Sequence, residues 1–133
     1  MAFMIDMPTA ARRHLHAADL LATGPRWDVA GYLYGIAAEC AVKAMMGDAG
    51  FHPVGDAVRR MDPFFAHFPE LRTMLRDARQ LRRGSPLHRY IQNDGFMNQW
   101  STRMRYSHGK DIEKHWVEGW AKQARQAVAA MGT

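Results

Sequence analysis

Between Trp100 and Asp111 the chain reads WSTRMRYSHGKD. Arg103, Arg105 and Lys110 bring three positive charges to this stretch, Tyr106 an aromatic ring with a hydroxyl, and His108 an imidazole. The set suits an anionic ligand. A guanidinium grips phosphate through two parallel N–H bonds. A tyrosine ring stacks on a base, and a histidine moves protons near neutral pH. The stretch reads as a phosphate-binding or RNA-cutting site, with a basic connector between two helices as the alternative.

Other chemistry is thinly represented. There is no Glu-x-x-His and no cysteine pair, and His14 and His16, two residues apart, face different sides of a helix. Cys40, within the most apolar segment, is expected to be a buried thiol rather than a reactive one. No glycine-rich loop stands between a strand and a helix to cradle phosphate. No metal or cofactor is expected.

Two other charged groups stand out. Glu39 and Lys43 lie one turn apart in the favourable order for a helix ion pair. On so apolar a helix they must either reach a solvent-facing seam as a partly exposed pair or meet polar groups of another helix beside a functional cleft. Arg72, Arg76, Arg79 and Arg83 form a stripe that no acid on the same helix neutralises at three or four residues. That stripe is either a solvated face or a second phosphate-binding surface, with Arg76 and Arg79 at its centre.

The elements that must position these groups are helical. The first helix is expected in PTAARRHLHAADLLATGP, capped by Thr9, with Ala11, Leu15, Ala18 and Ala22 in step and Gly24-Pro25 ending it. The second, Trp27 to Met46, is apolar all round and so must be central. Its Gly31 and Gly35, one turn apart, leave a groove for a neighbour. The following GDAGFHPVGDAVRRMDP reads as an irregular connection. A third helix is predicted in HFPELRTMLRDARQLRR with Leu71, Leu75, Ala78 and Leu81 inward, then a short one capped by Ser85 with Pro86 in its first turn. The last opens near Asp111, with Ile112, Trp116, Trp120, Ala124 and Val128 on one face. No stretch alternates like a strand. The expected fold is all-α, an up-down bundle of four to five helices in one domain spanning residues 1–133.

Composition agrees. Hydrophobic residues are 47% and charged ones 23% of 133 residues, which is globular rather than disordered. Lys plus Arg outnumber Asp plus Glu by 18 to 13, a net +5 that favours an anionic partner. The single cysteine fits a reducing cytoplasm. The start MAFMIDMPTA lacks a signal-peptide pattern, and no run of about twenty apolar residues suggests a membrane span.

Three stretches, in order, carry a resemblance. AGYLYGIAAECAVKAMM resembles the second-helix signature of the HEPN family, HFPELRTML resembles its His–acid–Leu–x–x–Leu start to the third helix, and WSTRMRYSH resembles its Arg-Tyr segment before the last helix. Phe68-Pro69-Glu70 departs from the direct His-Asp-Leu of the family. The resemblance implies a helical domain that forms a homodimer through its central helices. Many members are metal-independent ribonucleases, and many are toxins paired with a small nucleotidyltransferase-like antitoxin. Others bind nucleotides or act as interaction modules. In the nucleases an Arg holds the phosphate and a His, separated from it by four to six intervening residues, moves protons. Four Arg–His pairs here have that spacing: Arg60–His67, Arg82–His88, Arg83–His88 and Arg103–His108. Only Arg103–His108 stands before the last helix, so the resemblance assigns catalysis to it. Arg105, Tyr106 and Lys110 are then expected to hold the nucleotide, with Arg105-Tyr106 as the alternative match to the family motif.

Overall fold

A computed structural model of the chain describes residues 3–50, 63–76, 86–93 and 95–131. Among these residues the fold is an all-α bundle: α1 (Met7–Ala22), α2 (Trp27–Asp48), α3 (Glu70–Arg76), α4 (Pro86–Gln92) and α5 (Lys114–Ala130), with no strand. No described helix is long and apolar enough to cross a membrane. Ala78, Arg79, Leu81, Arg83 and Ser85, like the connection 51–62, fall outside the described residues.

α2 is the axis of the bundle. Residues on every side of it are buried, and α1 and α5 both pack along it. The groove expected at Gly31 and Gly35 is filled twice. A Cβ on Gly35 would overlap the indole of Trp100, while one on Gly31 would meet Val117 Cγ2 at 2.9 Å and the Trp120 ring at 3.1 Å. Trp100 also donates its indole N–H to Gly31 O at 3.1 Å. Its ring stacks on Tyr32 (centroids 5.8 Å apart) and meets the edge of Phe68 (6.2 Å).

The loop that delivers Trp100 is held from α5. Gln123 accepts from Met97 N (2.8 Å) and donates to Gly95 O (2.9 Å), and Trp120 Nε1 donates to Asn98 O at 2.8 Å. Met97 and Gln99 both have left-handed backbones, φ 55° and 73°. Each such residue costs about 1–2 kcal/mol, which the α5 clamp and the burial of Trp100 must offset. A three-helix tie completes the frame: Tyr34 on α2 and Arg125 on α5 both donate to Asp19 Oδ1 on α1 at 2.6 Å. Burial, then the Asp19 bond, pushes the Tyr34 phenol up to about 12, so it remains a donor.

Two helix starts differ from expectation. Asp6, not Thr9, caps α1: it accepts from Thr9 N at 3.0 Å and from Thr9 Oγ1 at 2.8 Å. A residue inside the first turn cannot cap the helix it belongs to, and a carboxylate just before it can. α5 begins at Lys114 rather than Asp111, because the chain makes a 3-10 turn over Gly109–Asp111 first. Its buried face is therefore Val117, Trp120, Ala124 and Ala127, with Ile112 packed before the helix starts.

Candidate functional site

Glu39 and Lys43 are not a partly exposed pair. They are 2% and 8% exposed. Glu39 reaches the corner before α3, where Oε2 accepts from Phe68 N and Oε1 from His67 Nδ1, both at 2.8 Å. Because a carboxylate only accepts, this bond keeps a proton on Nδ1 of His67. The pair thus seats Phe68 against Phe96 and Trp100. Glu39→Ala is expected to cost about 2–4 kcal/mol, because it leaves the buried Phe68 N–H without an acceptor. Glu39→Gln, which keeps that acceptor, should cost clearly less. Chemical denaturation of the three proteins decides it, and equal losses for Ala and Gln would refute the anchoring role. Beside this pair, burial raises the Cys40 thiol, Lys43 opposes the rise and Glu39 adds to it, so the sulfur stays protonated near neutral pH.

The arginine stripe contributes to folding. Arg72 Nη1 donates to Phe96 O at 2.5 Å, and Arg76 Nη2 donates to Ile91 O, at the end of α4, at 3.2 Å. These bonds join α3 to the segments after it, and Arg76 takes the favourable position for a cation at the C-terminus of α4.

The basic segment has a different setting. Ser101 Oγ accepts from Arg103 N (3.2 Å) and starts a 3-10 turn over Thr102–Tyr106; Ser107 is extended, and a second 3-10 turn follows. Such short turns suit a chain without helical periodicity but with Ser at each break. Arg103 and His108 therefore do not lead into the N-terminus of α5. The helix start beside His108 is that of α2. Gly109 lies so close to Asp28, in the first turn of α2, that a Cβ there would collide with Asp28 Oδ2.

Two adjoining cavities open along this junction. The first, about 290 Å³, lies between α2 and the 3-10 turns and is lined by Asp28, Val29, Tyr32, Met104, Arg105 and Ile112, among others. The second, about 320 Å³, is bounded by Pro25, Trp27, His108 and Lys110. Arg26, Asp28 and Gly109 belong to both. The Arg105 guanidinium lies over two rings, 5.8 Å from the centroid of Tyr32 and 5.3 Å from that of Tyr106, and its Nε donates to Thr102 O at 3.2 Å. Trp100, Tyr32, Arg105 and Tyr106 thus make successive contacts from the core to the surface, where the Tyr106 ring is 82% exposed.

Of the residues expected from the sequence, Arg105, Tyr106, His108 and Lys110 gather at this junction. Arg103 is exposed on the first 3-10 turn and lines neither cavity. Glu39 sits about 16 Å along α2 from Asp28, at 1.5 Å per residue, Lys43 farther still, and Arg76 bonds elsewhere. Arg26, Asp28, Tyr32 and Ser107 were not foreseen as part of it. The available signal was Asp28 itself, an acid in the first turn of the most apolar helix. Its Oδ2 accepts from Arg26 Nη2 at 2.6 Å, yet its buried Oδ1 has no hydrogen-bond partner among the described residues. An unmet buried acceptor costs about 1–3 kcal/mol.

Among the described residues no three His, Cys, Asp or Glu side chains are grouped so as to hold a metal ion. No protein-family model, curated protein or solved structure matches the chain.

Proposed function

We propose that this is a HEPN-like domain that binds single-stranded RNA or a nucleotide at the junction of α2 with the 3-10 turns. The observation that carries the reading is the Arg105 guanidinium over Tyr32 and Tyr106 on the first of two adjoining cavities, with His108 and Lys110 on the second. The cations answer phosphate, and the outer face of Tyr106 offers an unpaired base a ring to stack on. A duplex hides its base faces, so single strands should bind better. The three motifs that resemble the HEPN family support the same reading.

Fluorescence anisotropy with a labelled single-stranded RNA octamer tests this. Tyr106→Ala should weaken binding by about 5- to 100-fold, the usual loss for one stacked base, and leave the melting temperature in place because the ring is exposed. Arg105→Ala should weaken it as well and lower the slope of log affinity against log salt by about 0.7. Unchanged affinity in both variants, or no RNA binding by the native protein, would overturn the reading.

His108 favours a second reading on the same face, metal-independent RNA cleavage. It is exposed, borders the second cavity and has Lys110 two residues away. The homodimer and the nucleotidyltransferase-like partner implied by the resemblance fit either reading. Two copies would bring two such faces together, and a paired antitoxin would block them.

A further inference from the structure

The resemblance gives the phosphate to Arg103, yet the structure lines the cavities with a different arginine. Arg103 borders neither of them, whereas Arg26, in the turn between α1 and α2, borders both. It shares the second with His108 and Lys110. Its guanidinium is held in place, because Nη2 donates to Asp28 Oδ2 at 2.6 Å. The side chain is nevertheless 61% exposed, and that bond occupies only one of its N–H groups, so a fixed guanidinium keeps donors for an incoming anion. The Asp28 side chain is only 12% exposed, so its charge fixes Arg26 rather than meeting the ligand. Gly109 brings the remaining part. Without a side chain its backbone closes on the Asp28 carboxylate, and this carries the adjacent His108 to the same wall.

We infer that Arg26, rather than Arg103, grips the phosphodiester beside His108, and that this phosphodiester joins two successive nucleotides, one in each cavity. The inference rests on the RNA-binding reading above and adds the register of the strand. The cavities are alike: about 290 and 320 Å³, each carrying a cation of its own, Arg105 on the first and Lys110 on the second. Both lie at the small end of ligand pockets, too small for two nucleotides apiece. A strand that fills both must therefore cross the wall they share, and Arg26 is the cation on that wall.

Anisotropy of the labelled octamer across a salt series tests this with Arg26→Ala, Arg26→Lys and Arg103→Ala. Arg26→Ala should weaken binding by about tenfold or more and lower the slope of log affinity against log salt by about 0.7, one phosphate contact. Arg26→Lys should restore the slope but only part of the affinity, since an ammonium lacks the planar fork. Arg103→Ala should change affinity by no more than about twofold, as for an exposed charge outside the contact. Losing Arg26 also leaves the Asp28 charge without its cation, which by itself would repel RNA. Combining Arg26→Ala with Asp28→Asn removes that charge, and the double variant should stay about fivefold or more weaker than Asp28→Asn alone. In parallel, native protein titrated with a dinucleoside monophosphate should bind it about tenfold more tightly than a nucleoside 5′-monophosphate. The dinucleotide carries less negative charge, so a merely electrostatic site would rank the two the other way. Native affinity in Arg26→Ala, an equal loss in Arg103→Ala, a double variant as tight as Asp28→Asn, or a mononucleotide as tight as the dinucleotide would overturn the inference and leave the RNA-binding reading standing. Failure of every RNA and nucleotide to bind would overturn both.

Discussion

Trp100→Ala is expected to destabilise the protein by about 3–5 kcal/mol, the range for a large aromatic removed from a core. The indole is 2% exposed, fills the notch at Gly35, donates to Gly31 O and touches Tyr32 and Phe68. Its loss would empty the groove of α2 and also free Tyr32 beside the first cavity, so RNA binding should fall even where the variant stays folded. Gly35→Ala approaches the same contact from the other side. The added methyl would overlap the indole, and overpacking of this kind costs about 1–3 kcal/mol or more. In the Trp100→Ala background the same Gly35→Ala change meets an empty space and should cost far less. Urea denaturation of the native protein, both single variants and the double variant measures this coupling. Additive losses would show that the two residues do not share the groove.

His108→Ala should lower metal-independent RNA cleavage by about 10²- to 10⁴-fold, the usual contribution of a positioned proton-transfer group. The side chain is exposed, so the melting temperature should stay within experimental error of the native value. Single-strand binding should persist, because Arg105, Tyr106 and Lys110 remain. His88→Ala serves as the contrast, since His88 lies on α4, away from the two cavities. Cleavage is measured on a single-stranded substrate in the presence of a chelator. Native protein that binds RNA without cutting it would leave binding alone, and equal cutting by the His108→Ala variant would remove His108 from the reaction.

The sequence by itself determined the helical class, the central place of α2 and the identity of the basic segment. Each is a local property. Period and composition decide whether a stretch forms a helix and which side it buries, and a helix apolar all round has nowhere to sit except the middle. It also exposed the close-approach groove, because two glycines one turn apart remove side chains from a single strip of surface. It did not say what would fill that groove. Trp100 enters it through a loop with left-handed backbone at Met97 and Gln99, conformations that neither residue prefers and that hydrogen bonds from α5 impose.

Tertiary structure also supplied partners for two of the charges. Glu39 is anchored to His67 and Phe68, and Arg76 to Ile91, partners that spacing within one helix cannot reveal. The basic segment was legible as a list of residues, but not its setting. Two 3-10 turns delay α5 to Lys114 and lay Gly109 against Asp28 at the start of α2. That contact joins residues far apart in the chain, and neither carries a local signal for the other. Propensity and periodicity act over a few turns of chain, whereas a cavity forms only where separately folded pieces meet.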